Sequence, residues 1–216
     1  MNPRTLLITT AMLLFSPAVT DPLIVRLQTK LDHMNSLRGR FVQRLDSGLM
    51  AGPRAEEGRL FLKKPSLMRW EYDKPEEKLA IADGRNTWLY VPADRQVQKG
   101  SMRDLEDEGA AALVLSGRIS LVKDFRSIRL PNEQSVTAGA PGAVAIELTP
   151  VKKRFDVEKV ILIIDEGRLL IRSLTVVNQD GDKMTLELFD LDEDPELTDT
   201  LFKFVPPPGV DVLTDR

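Results

Sequence analysis

Gly58-Arg-Leu-Phe-Leu-Lys-Lys-Pro-Ser-Leu-Met-Arg-Trp-Glu-Tyr72, Lys78-Leu-Ala-Ile-Ala-Asp-Gly84 and Thr87-Trp-Leu-Tyr-Val-Pro92 follow one another as three segments of alternating apolar and polar residues. A Lys-Pro break and the turn-forming Asp83-Gly84 separate them, which predicts a meander of antiparallel strands. All four tryptophans and tyrosines of the chain fall here, as Trp70, Tyr72, Trp88 and Tyr90. A spacing of two puts both rings of a pair on one face of a strand, so the two pairs are expected to form a single aromatic surface. Such a surface needs apolar company.

Working outward, Asp21-Pro22 has the form of an N-cap followed by proline at the first helical position. Leu23, Leu27, Leu31 and Met34 then recur at helical spacing, with Arg26, Lys30 and Asp32 on the wet side. Leu37 to Leu45 reads as the first strand, and Ser47 to Pro53 as a loop into the meander. Beyond Arg95-Gln-Val-Gln98 the period changes. A small-residue helix is expected from Asp104, with Asp107 at its N3 position, through Ala110-Ala-Ala-Leu-Val-Leu115 to Gly117, and a further helical piece over Ser120 to Phe125. Strands return at Val144–Leu148, Val157–Ile164, Leu169–Val177 and Lys183–Phe189, punctuated by Glu166-Gly167 and Asp180-Gly181. Continuous apolar Val160-Ile-Leu-Ile-Ile164 predicts burial on both strand faces. Gly139-Ala-Pro-Gly142 reads as a loop, and Leu201 to Val210 as a last short strand stopped by prolines.

The composition, 42% apolar and 29% charged over 216 residues, is that of one folded domain. Residues 1–20 differ in kind: Arg4, an apolar run from Leu6 to Phe15, and small residues up to Thr20 have the layout of a secretory signal peptide, cleaved near Ala18 or Thr20. The expected mature chain is 21–216, exported and free of any lipid anchor, since the sequence has no cysteine. Its 29 basic and 33 acidic residues give a net charge of −4, without the basic tract that nucleic acid demands.

Catalytic chemistry is poorly represented. His33 is the single histidine and is expected at a helix end in solvent, and with no cysteine a zinc site built on nitrogen and sulfur ligands has almost nothing to work with. Asp190-Leu-Asp-Glu-Asp194 carries calcium-loop acids but has Pro195 and Leu201 where the loop needs glycine and glutamate, and reads as an acidic surface turn. Ser120-Leu-Val-Lys123 matches Ser-x-x-Lys by chance, since the companion motifs are missing. No phosphate loop and no paired acid and base are evident, and no cofactor is expected. The reading is of a binding protein rather than an enzyme.

Ser36-Leu-Arg-Gly-Arg-Phe-Val-Gln43, Gly58-x-Leu-x-Leu-Lys-Lys-Pro65, Met68-Arg-Trp-Glu-Tyr72, Ala82-Asp-Gly84, Trp88-Leu-Tyr-Val-Pro92 and Phe202-Lys-Phe-Val-Pro-Pro-Pro-Gly-Val-Asp-Val212 occur in order over nearly the whole mature chain. This set resembles the periplasmic lipoprotein carriers of the LolA family. The resemblance implies a mainly β (α+β) fold: an incomplete antiparallel β-barrel whose helices form a lid over an apolar cavity. It implies a monomeric periplasmic chaperone that takes acylated lipoproteins from an inner-membrane ABC transporter complex to an outer-membrane receptor. By position in the family, the resemblance places Leu37, Met68 and Trp70 in the cavity; the hydrophobic pattern alone adds Leu60, Leu62, Tyr72 and Leu113. Lys64 stands where the family often has an arginine that hydrogen-bonds the lid helices shut, and is the latch candidate. The alternative is a lipid- or lipoprotein-sensing regulator on the same half-barrel, which would call for a signalling domain that this composition does not suggest.

Overall fold

Asp21 opens the fold: its side chain accepts from the Leu23 amide at 2.8 Å, and Pro22 starts helix α1, Pro22–His33. The computed structural model describes residues 20–49, 52–103, 110–131, 142–152 and 156–214. The expected signal peptide, apart from Thr20, lies outside these residues, as do the caps at Asp104 and Asp107 and most of the Gly139–Gly142 loop. As the periodicity required, α1 buries Leu23, Ile24, Leu27 and Leu31 along one stripe.

After α1 the chain runs through β1 (Ser36–Asp46), β2 (Arg54–Lys63), β3 (Leu67–Lys74), β4 (Lys78–Asp83), β5 (Asn86–Val91) and β6 (Gln96–Ser101). Helix α2 (Ala110–Leu115) leads to β7 (Phe125–Arg129), β8 (Ala143–Pro150), β9 (Val157–Asp165), β10 (Leu170–Asn178) and β11 (Lys183–Glu193). A 3₁₀ turn, Asp199–Phe202, and β12 (Asp211–Thr214) complete it. Among the described residues the strands form one open twelve-stranded sheet in the order β12-β6-β5-β4-β3-β2-β1-β11-β10-β9-β8-β7. Every pairing is antiparallel except β12 with β6. Gly58 permits the tight join of β2 to β3, because a Cβ there would stand 1.9 Å from the Glu71 carbonyl oxygen.

The register decides which face each aromatic takes. Trp70 pairs with Ala80, which pairs with Leu89, whereas Trp88 pairs with Ile81. Trp70 and Tyr72 therefore face the helices, and Trp88 and Tyr90 face outward: the expected single aromatic surface is two surfaces, because a one-residue offset across β4 exchanges the faces. The outward pair packs on Phe204, with centroid distances of 5.7 and 5.8 Å. Trp88 Nε1 also donates to Asp83 Oδ2 at 3.0 Å, and Lys99 lies over the indole at 5.0 Å.

Four other expectations change. Leu201–Val210 is not a strand; a 3₁₀ turn and an extended strap cross the outer face instead, where Lys63 Nζ donates to Leu197 O (2.8 Å) and Arg69 Nη1 to Leu201 O (3.0 Å). Pro206, Pro207 and Pro208 have no N–H for a ladder, so side chains supply the bonds. Ser120–Phe125 makes one turn, closed by Asp124 N to Ser120 O at 2.9 Å, before β7 starts at Phe125. The acidic run 190–193 continues β11 rather than turning, with Arg38 paired to Asp192 at 2.7 Å. In β9, Val160, Leu162 and Ile164 are buried while Ile161 and Ile163 are half-buried, so the burial alternates: only one face meets the helices.

Candidate functional site

The inner face of the sheet and the two helices share one hydrophobic cluster. Leu37, Leu60, Leu62, Met68, Trp70 and Leu113 all belong to it, and Tyr72 packs against it, so the structure brings together every apolar residue singled out from the sequence. The strand alternation explains the meeting: Leu60 pairs with Trp70, Leu62 with both Leu37 and Met68, and Leu113 comes down from α2. Phe41 was missed. It is 1% exposed and meets Trp70 and Tyr72 edge-on at 5.0 and 5.1 Å, making it the centre of the inner aromatic group. Its spacing of four from Leu37 along β1 was the available signal.

The rest of the wall comes from the second half of the sheet, with Ile146, Leu162, Leu174, Leu186 and Leu188 at 2% exposure or less. Leu23, Ile24, Leu27 and Leu31 of α1 and Leu113, Val114 and Leu115 of α2 cover it. The chemistry of this region is dispersion and water exclusion. Beside α1 a crevice of about 20 Å³, room for roughly one water, is lined by Leu27, Lys30, Leu31, Leu169, Leu188 and Leu191 among others.

Polar groups sit at the margins. Tyr72 lies under Lys78, whose Nζ is 4.8 Å from the ring centroid and pairs with Glu56. Burial, aided by the charge of Glu56, pushes the Tyr72 hydroxyl well above the ordinary tyrosine range, so it stays neutral. At the N-terminal end of α1, Arg129 donates to both Asp21 carboxylate oxygens at 3.0 and 3.2 Å, and the Asp21 amide donates to Ser127 Oγ at 2.9 Å. The hydrogen bond from Arg129 holds the Asp21 carboxyl below the usual carboxylate range against the opposing effect of burial.

Lys64 meets the other end of α1. Its Nζ donates to the carbonyl of Leu31, one of the last four carbonyls that a helix leaves without an internal partner. α2 ends at Gly117, whose φ of +69° suits glycine and whose missing side chain leaves space for Lys64: a Cβ there would be 3.5 Å from Nζ. The amine thus lies between the C-terminal ends of both helices. Burial lowers its pKa, offset in part by Asp32 and Asp194. His33, at the exposed end of α1, donates from Nδ1 to Thr29 O at 2.7 Å. Among the described residues, no group of three histidine, cysteine or acidic side chains could hold a metal ion.

Comparison with known proteins gives the family of the chain. The family described as "Outer membrane lipoprotein carrier protein LolA" matches residues 32–205. An outer-membrane lipoprotein carrier protein of Azotobacter vinelandii is 29% identical over 213 residues, covering 98% of each chain. Another from Pseudomonas paraeruginosa is 31% identical over 196 residues, covering 89% of this chain and 88% of that one. An uncharacterized conserved protein from Thermus thermophilus superposes with a TM-score of 0.54 at 13% identity, over 89% of this chain and 97% of the other, and shares the fold. With a family match spanning most of its length, the chain belongs to the LolA family of outer-membrane lipoprotein carrier proteins.

Proposed function

We propose that this protein is a periplasmic chaperone that receives acylated lipoproteins from an inner-membrane ABC transporter complex and delivers them to an outer-membrane receptor, sheltering their acyl chains between sheet and helices. The observation that carries this reading is the shared apolar cluster. Helix side chains cover the inner sheet face, and the polar fastenings sit at the ends of α1 rather than within the contact. Exposing acyl chain to water costs about 0.8 kcal/mol per CH₂, on the order of 30 kcal/mol for three long chains. An acyl chain that displaces helix side chains from the sheet exchanges one set of dispersion contacts for another, so loading and unloading proceed without a large difference in free energy.

In this scheme Leu37, Leu60, Leu62, Met68, Trp70, Tyr72 and Leu113 line the cavity, with Phe41 at its centre. α1 and α2 are the lid, and Lys64 is its latch. The protein acts by binding, as a monomer, after removal of residues 1–20. The test is release: inner-membrane vesicles carrying the transporter and a labelled lipoprotein are given ATP and purified protein. Soluble, labelled complex is the expected product. Lipoprotein that stays in the vesicles, while an established carrier of the family releases it, would overturn the proposal.

A further inference from the structure

The last turns of α1 are fastened on two sides. Lys64 reaches up from the β2–β3 turn, while Lys30, one residue before the carbonyl that Lys64 engages, reaches down to the opposite side. Its Nζ donates to the Arg168 carbonyl at 2.6 Å and pairs with Glu193 Oε2 at 2.6 Å, with the two side chains 25% and 30% exposed. The shielding makes this pair worth more than a more exposed one, such as Arg26 with Glu166, which is 3.8 Å apart and about half exposed.

The partner turn is itself held taut. In the β9–β10 turn the left-handed backbone falls on Leu169, at φ +53°, rather than on Gly167. A leucine keeps that conformation only where its surroundings enforce it. Here Leu169 packs against the core, Asp165 accepts from the Arg168 amide at 2.9 Å, and Arg172 holds Asp165 at 2.9 Å. From α1, Lys30 adds a tie on the Arg168 carbonyl, shorter and better shielded than the 3.8 Å pair that Arg26 makes with Glu166 of the same turn. The Lys30 side chain also lines the crevice between α1 and this turn, together with Leu27, Leu31, Leu169, Leu188 and Leu191.

Resting on the carrier reading, we propose that Lys30 is a second latch: a positioning residue that holds α1 against the β9–β10 turn and the end of β11 and keeps the adjoining crevice shut. The lid parts at this side only when Lys30 leaves Arg168 and Glu193, so release of Lys64 alone leaves α1 pinned. No residue that touches the acyl chain need change for loading to become faster.

The test compares native protein with Lys30→Met, which keeps the apolar stem, and with Glu193→Gln, Lys30→Arg and Lys64→Leu. Amide hydrogen exchange over residues 23–33 is measured without lipid, and uptake of a fluorescent fatty acid is followed by stopped flow. Both rates are expected to rise roughly three- to tenfold in Lys30→Met, less in Glu193→Gln, and to return toward native in Lys30→Arg. Lys30→Met with Glu193→Gln should match Lys30→Met alone, whereas Lys30→Met with Lys64→Leu should multiply the two effects. Native exchange and uptake in folded Lys30→Met and Glu193→Gln would overturn the second latch. If Lys30→Met unfolds, Glu193→Gln decides the question from the strand side. Faster exchange in protein that takes up no fatty acid would keep the latch and refute the carrier reading.

Discussion

Lys64, half-buried, donates one charge-assisted hydrogen bond, and its surroundings lower its pKa chiefly through desolvation. A depressed lysine binds fewer protons folded than unfolded, so stability rises with pH from the folded pKa up to about 10.4, the unfolded value. At neutral pH the ammonium is therefore held against a cost, which suits a latch that must let go. Lys64→Leu removes the bond and should speed dissociation of a bound fluorescent lipid roughly tenfold. Lys64→Arg adds donors beside the open space at Gly117 and should slow it by several-fold, roughly three- to tenfold; unchanged dissociation in both variants would remove Lys64 from the lid's control. Trp70, 9% exposed against Phe41, has a different task. Trp70→Ala should cost about 3 kcal/mol in stability; if the ring is cavity wall as proposed, lipid uptake should fall further than secretion or solubility. A variant that merely unfolds would make Trp70 core alone.

At the scale of elements, α1 is fastened at its start by Asp21 and Arg129 and at its end by Lys64 and Lys30. Asp21 has a lowered pKa, foremost through the hydrogen bond from Arg129, and Asp194 through the Asn35 amide. Their stabilisation is complete above the unfolded carboxylate pKa of about 3.9 and is lost as pH falls through the folded values. The protection of amides at the start of α1, measured against intrinsic exchange rates at each pH, should therefore fall as the pH drops below about 4, and Arg129→Gln should flatten that dependence. The strap makes a separate prediction: Phe202, 1% exposed beneath the outer face, should cost about 3–5 kcal/mol on change to alanine in a denaturant titration. Elements with strong local periodicity were legible in the sequence, notably α1, the β2–β5 meander and β8–β11. The strap was not, because the bonds holding it come from Lys63 and Arg69, more than a hundred residues away. Nor was the face taken by Trp88, which depends on a cross-strand register rather than on spacing within its strand.

For the whole molecule, an open sheet with helices on its inner face leaves a large apolar contact that polar side chains fasten only at its margins. That Leu37, Met68 and Trp70, placed by the family resemblance, and Leu60, Leu62, Tyr72 and Leu113, placed by pattern, would be buried together was legible in the sequence. Which of them form wall and which form permanent core was not, since both are buried alike when the helices are seated. Export, the closed lid and the carrier role meet in one claim: an acyl chain takes the place of helix side chains on that inner face. Native mass spectrometry of protein recovered from the periplasm, before and after incubation with a triacylated lipopeptide, tests it directly. The expected result is a mature chain beginning near Asp21 that carries lipoprotein or lipid, with one lipopeptide bound per chain after incubation. A bare chain in both spectra, from protein that is folded and soluble, would contradict it.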